Sequence, residues 1–105
     1  MRYFKRPWDE DRGDEYASWG TSLWYFEVDD QWEVIRQLEV YASGAVLAYD
    51  AAHLEDRYGM LAESALPADE MPAFEISKAE FELVWTSSKP INRTEPRPPD
   101  GLSKN

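Results

Sequence analysis

From Leu23 to Tyr49 the sequence runs through alternating apolar and polar positions, broken only at Asp29-Asp30 and Ser43-Gly44. A two-residue break leaves room for a hairpin, whereas a parallel crossover takes a dozen residues or more. These runs therefore pair antiparallel with their neighbours. Leu23–Val28 is the clearest strand, with Trp24, Phe26 and Val28 on one face and Leu23, Tyr25 and Glu27 on the other. Gln31 to Ala42 reads as a long strand, with Trp32, Val34, Leu38 and Val40 on one parity and Glu33, Gln37 and Glu39 on the other. Arg36 interrupts the first parity and Ile35 the second, and a bulge near this pair reconciles them. Ala45–Tyr49 is the next strand, and Arg2–Trp8 alternates more loosely as the first.

The end of the domain carries a different signal. Ser77-Lys78-Ala79-Glu80 is a capping box, and Ile76 with Phe81 forms the matching hydrophobic staple. A helix from Lys78 to about Ser87 follows, presenting Phe81, Val84 and Trp85 on one face, which should lie on the sheet. Asp50 to Pro72 is patterned less sharply. Arg57–Leu61 reads as a further strand, Ala62–Pro72 as a connecting loop, and Ala51–Asp56 has the composition of a short helix. From Ser88 on, Pro90, Pro96, Pro98 and Pro99 oppose regular structure. The expected architecture is α+β: an antiparallel sheet of four or five strands with a C-terminal helix packed on one face. A single domain over residues 1–87 is expected, followed by a flexible proline-rich tail over residues 88–105. A chain of 105 residues has room for one core.

The net charge of −10 is unevenly placed. The segment from Lys89 on nets +2, which leaves −12 for the body. A body this acidic repels phosphate backbones, so no nucleic-acid partner is expected. The field instead favours an electropositive partner, or serves solubility alone. No apolar run approaches the ~20 residues of a membrane helix, and Met1–Pro7 lacks the apolar region of a signal peptide, so the expectation is a cytoplasmic protein without membrane contact.

Residue types limit the chemistry further. With no cysteine, thiolate zinc, disulfides and thiol catalysis are excluded. His53 is the only histidine, and no G-x-S-x-G context offers it a nucleophile. Asp9-Glu10-Asp11-Arg12-Gly13-Asp14-Glu15 packs five acids into seven residues and must be a solvated loop. It fails as a calcium loop: Gly13 falls one position early if Asp9 is the first ligand, and Gly20 stands where a bidentate glutamate is required. No catalytic residue, metal ligand or cofactor is expected. What stands out is aromatic content around the acids: Trp8, Tyr16, Trp19, Trp24 and Tyr25. Aromatic anchors ringed by charge are what protein interfaces use.

Two stretches carry a family resemblance. Trp32-Glu33-Val34-Ile35-Arg36-Gln37-Leu38-Glu39-Val40-Tyr41 followed by Gly44 resembles a W-E-x-R-x-(V/L)-E-(V/I)-(Y/F)-x-x-G run, with Ile35 as an extra residue. Phe74-Glu75-Ile76-Ser77-Lys78-Ala79-Glu80-Phe81-Glu82-Leu83-Val84-Trp85 resembles a terminal F-E-I-S-x-x-E-F-E-x-x-W run. In this order they resemble an uncharacterised family of small acidic bacterial proteins, matched over about residues 2–86, with the proline-rich extension outside it. Such proteins are often met in polymorphic-toxin neighbourhoods, where acidic single-domain proteins serve as immunity factors. The resemblance implies a stoichiometric inhibitor of a cognate protein toxin, for instance a nuclease, acting by occlusion and not by catalysis. The surface expected to carry binding is Asp9, Glu10, Asp11, Asp14, Glu15, Trp19, Tyr25, Asp29 and Asp30. The alternatives are a regulatory adaptor domain and a small hydrolase built on buried carboxylates.

Overall fold

The structure, a computed structural model, describes residues 1–93. Its strands are β1 (Arg2–Trp8), β2 (Ser22–Val28), β3 (Val34–Tyr41), β4 (Val46–Tyr49), β5 (Glu55–Asp56), β6 (Gly59–Met60) and β7 (Glu75–Ile76), and helix α1 is Lys78–Ser87. Five of the strands form one antiparallel sheet in the order β4-β3-β2-β1-β7, while β5 and β6 make a separate small hairpin. The meander and the capped C-terminal helix are as the sequence predicts.

The bulge is there as well. Glu27 opposes Arg36 and Val28 opposes Val34, so Ile35 is the extra residue. Because side chains alternate with period two, one inserted residue reverses every face assignment beyond it. Val34 therefore joins Phe26 and Val28 on one side, and Arg36 stands beside Glu27 on the other.

β3 starts at Val34 and not at Gln31 as predicted. Asp29 is the reason: its Oδ1 accepts from the backbone N–H of Gln31 and of Glu33, both at 2.9 Å, winding the chain into a tight loop. The loop holds Trp32 at φ 66°, a left-handed conformation uncommon for a bulky residue. Its ring stacks on Phe4 at 5.5 Å with Arg2 over it at 4.8 Å, contacts that hold the strained backbone in place.

α1 covers one face, the helix side. Tyr3, Tyr25, Leu38, Ala48 and Phe81 form its core, with Ile76, Val84 and Trp85 packed around them. Ser77 caps the helix by accepting from the Glu80 N–H at 3.0 Å. The Glu80 carboxylate pairs with Lys5 at 3.2 Å. Under α1 lies Glu27, buried yet fully partnered: Tyr3 Oη donates to it at 2.9 Å and Arg36 Nε at 2.6 Å. Arg36 also forks onto Glu82 at 3.2 and 2.5 Å and lies over the rings of Phe81 and Trp85.

Among the described residues no α-helix lies over the opposite face. Phe4, Phe26, Val28, Val34 and Met71 form one cluster there, and Tyr41, Leu47 and Tyr49 another. Irregular segments supply the cover, through Trp19, Trp32, Tyr58, Leu61, Ala62 and Leu66. We call this the loop side. No helix forms over Ala51–Asp56: Asp50 Oδ1 accepts from the Ala52 N–H at 3.0 Å, and Asp56 is drawn onto Tyr49 and His53. Side-chain bonds that a helix could not make override a helical preference worth only tenths of a kcal/mol per residue. Of Arg57–Leu61, only Gly59–Met60 is strand.

The first six residues assigned from sequence to the tail, 88–93, lie against the body. The Ile91 N–H donates to the Val46 carbonyl at 2.9 Å. Asn92, buried, fastens to Ala48 twice: its Oδ1 accepts from the N–H at 3.0 Å and its Nδ2 donates to the carbonyl at 2.9 Å. The proline count in this stretch excludes helix and strand but not docking by a side chain. Residues 94–105, the remainder of the predicted tail, fall outside the described residues.

Candidate functional site

The acidic loop is built around one inward-turned cation. Asp11 Oδ1 accepts from the Gly13 N–H and Asp14 Oδ1 from the Tyr16 N–H, both at 2.8 Å, and Gly13 takes φ 74°, where a side chain is disfavoured. These turns drive Arg12 into the protein. Its guanidinium lies 5.1 Å from the Tyr16 ring, 5.6 Å from Trp19 and 6.0 Å from Tyr41. It pairs with Asp14 at 3.0 Å and donates to the Tyr58 carbonyl. With Arg12 pointing in, Asp9, Glu10, Asp11, Asp14 and Glu15 all point out and are exposed. Backbone and guanidinium donors hold the Asp14 carboxyl below its usual range.

Between this loop and the sheet is a cleft of about 470 Å³. Its walls include Trp8, Trp24 and Tyr58, the acids Glu10 and Asp11 and the Arg12–Asp14 pair, and β3 contributes Glu39 and Tyr41. Glu39 is only 3% exposed. Its carboxylate accepts from Tyr41 Oη at 2.6 Å and Gln37 Nε2 at 2.8 Å, both neutral donors. Burial pushes its carboxyl up, and these bonds, together with the neighbouring Arg12 charge, offset that only in part. Among the described residues no ion pair includes Glu39. A second cleft of about 400 Å³ is more apolar, lined by Phe26, Leu66, Pro67 and Met71, with Arg6 and Glu70 paired at 3.0 Å beside it. Trp8 and Trp24 line both clefts, and Trp8 is 52% exposed.

The residues singled out from sequence do not form one surface. Tyr25 is 7% exposed and sits in the helix-side core, because β2 turns its odd positions under α1. Trp19 is half-buried, packed on Tyr16 at 4.6 Å and Tyr41 at 5.1 Å, and so forms part of the wall behind the loop. Asp29 shapes the β2–β3 turn. That turn lies at the far end of β2 from the acidic loop, roughly 20 Å away at ~3.3 Å per residue. Asp29 and Asp30 therefore do not join the loop acids. Asp9, Glu10, Asp11 and Asp14 do meet around a common feature, and that feature is Trp8.

Trp8 stood out among the aromatics around the acids but was not placed in the expected binding surface, and Glu39 was not singled out, although their parities were readable. Even positions of β1 place Phe4, Arg6 and Trp8 on the loop side, and odd positions of β3 place Gln37, Glu39 and Tyr41 there. The sequence cannot show that loops close over Glu39 and stop short of Trp8.

Searches against protein-family models, curated proteins and solved structures return no match. Among the described residues no group of three or more His, Asp or Glu side chains is arranged to hold a metal ion. His53 pairs with Asp56 at 2.7 Å, and its ring lies tilted against that of Tyr49 at 5.9 Å. In the cleft above Glu39, the Glu39 carboxyl is pushed up and that of Asp14 down. No helix among the described residues is long and apolar enough to cross a membrane.

Proposed function

We propose that the protein binds an electropositive protein partner on the loop side, and that it does so as an immunity protein, occluding the active site of a cognate bacterial toxin domain such as a nuclease. The observation that carries this reading is the exposed Trp8 between two clefts, with Asp9, Glu10, Asp11 and Asp14 about it. A large aromatic anchor supplies buried area at small entropic cost, and surrounding charges steer the encounter. Carboxylates stand in for the phosphates that a cationic active site expects. The wall behind them is rigid, since Arg12 ties the loop to Tyr16, Trp19 and Tyr41. The immunity role itself is supported only by the resemblance of the Trp32–Tyr41 and Phe74–Trp85 runs.

The test is capture of the co-expressed product of the adjacent gene, followed by kinetics. Reversing Asp9, Glu10 and Asp11 to lysine should slow association by about tenfold or more and flatten its salt dependence, since the field is screened over ~8 Å at physiological salt. Trp8→Ala should instead speed dissociation, at a cost of about 2 kcal/mol or more. Unchanged binding by both variants would place the interface elsewhere and leave the acids a solubility device.

A further inference from the structure

We propose that the cleft above Glu39 is a receptor for one guanidinium group, the side chain of an arginine presented by the partner. This rests on the reading of the loop side as the partner surface and names the group that surface takes. Three observations carry it. First, Glu39 is almost fully buried and hydrogen-bonded by neutral donors alone; the neighbouring Arg12 cation, across Tyr41, acts on it without pairing with it, being paired with Asp14 instead. A buried charge in that state is costly, and a cation entering the cleft relieves it. Second, the cleft has volume for a side chain, about 470 Å³, and its walls include Trp8, Trp24 and Tyr58. A planar, weakly hydrated guanidinium stacks on such rings better than an ammonium does. Third, the chain already binds one guanidinium this way next door: Arg12 lies over Tyr16, Trp19 and Tyr41 with Asp14 as its counter-ion. Arg12 uses its donors on Asp14, Tyr41 and the Tyr58 carbonyl and does not pair with Glu39. The second position is the one left for a visitor.

The probe is N-acetyl-argininamide, titrated into the full-length protein and followed by tryptophan indole N–H shifts. Binding should saturate with a dissociation constant of the order of 1 mM, as for one well-placed ionic contact. The Trp8 and Trp24 indoles should move, while Trp32 and Trp85, outside this cleft, stay still. The uncharged isostere N-acetyl-citrullinamide should give no saturable response. Glu39→Gln should weaken argininamide binding by about tenfold or more. Equal binding of the two probes, shifts centred on Trp32 or Trp85, or no saturation at all would overturn the proposal. The wild-type shift map decides even if Glu39→Gln fails to fold. The outcomes separate this inference from the function it deepens. Argininamide binding without any captured cationic protein would leave the receptor standing and remove the partner. Partner capture that depends on Asp9–Asp11 but ignores Glu39→Gln would do the reverse.

Discussion

The sheet buries two glutamates, one on each face, and the protein treats them oppositely. On the helix side Glu27 meets Arg36, which in turn forks onto Glu82 and stacks on two rings of α1. On the loop side Glu39 meets only Tyr41 and Gln37. Both carboxylates are satisfied by hydrogen bonds, but among the described residues only Glu27 is in a direct ion pair, Arg12 acting on Glu39 from across Tyr41. A neutralised buried acid is finished structure. An unneutralised one beside an open cleft is a place where something else can complete the charge balance. The contrast extends to the cover: a capped helix closes the helix side, while the loop side is closed by separate side chains from loops that leave Trp8 exposed.

Substitutions sharpen the contrast. Phe81→Ala should cost about 3–5 kcal/mol in denaturant unfolding, because it opens a cavity under α1. Arg36→Ala should cost about 3 kcal/mol, leaving Glu27 buried with no cation. Glu39→Gln, at the matching place on the other face, should carry the opposite sign and raise the unfolding midpoint at pH 7. If both substitutions destabilise alike, the two acids are equivalent and the contrast fails. Trp8→Ala should change stability by no more than about 0.5 kcal/mol, as for an exposed residue outside the core.

Acid titration separates Glu39 from a second carboxyl of the loop side, Asp56. Burial alone would raise Asp56, yet bonds from His53, Asn92, Tyr49 and the Tyr58 N–H hold it at about 2. A folded-state value below the unfolded one means that its stabilisation is complete above about pH 4 and is lost as pH falls towards 2. Glu39 is shifted upwards, so its effect runs the other way: its cost appears as pH rises through the carboxylate range. Asp56→Asn should therefore flatten the acid limb of a stability–pH curve. Glu39→Gln should alter the neutral end and leave pH 3 nearly unchanged. Parallel curves for the two variants would contradict the shifts.

Much of the helix side was legible because local rules govern it. Period-two alternation gave β2 and its faces, two turn dipeptides gave the hairpins, and Ser77 with Phe81 gave the start and orientation of α1. Even the bulge showed itself, as a conflict of parity at Ile35 and Arg36. The loop side was not legible, since its cover depends on contacts between residues far apart in sequence. Arg12 reaches Tyr58 and Tyr41, Asp56 reaches Tyr49 and Asn92, and no local pattern announces either. Counting acids therefore found the loop but not its geometry. It gathered Asp29 and Asp30 from the wrong end of β2, and it took Tyr25 for surface when parity had already placed it opposite Trp24.

The docking of Asn92 on β4 has a consequence beyond holding down six residues. β4 is the outermost strand of the sheet, and Val46 and Ala48 turn backbone groups away from β3. Ile91 takes the Val46 carbonyl, and the Asn92 amide takes both the N–H and the carbonyl of Ala48, much as the backbone of a sixth strand would. A bare border of this kind is a template on which a second molecule can add its own strand and begin a growing chain of copies. Here one backbone N–H and one side-chain amide fill those positions within the same molecule. The sheet thus ends in a selvedge, and the chain is kept from polymerising with itself along that border.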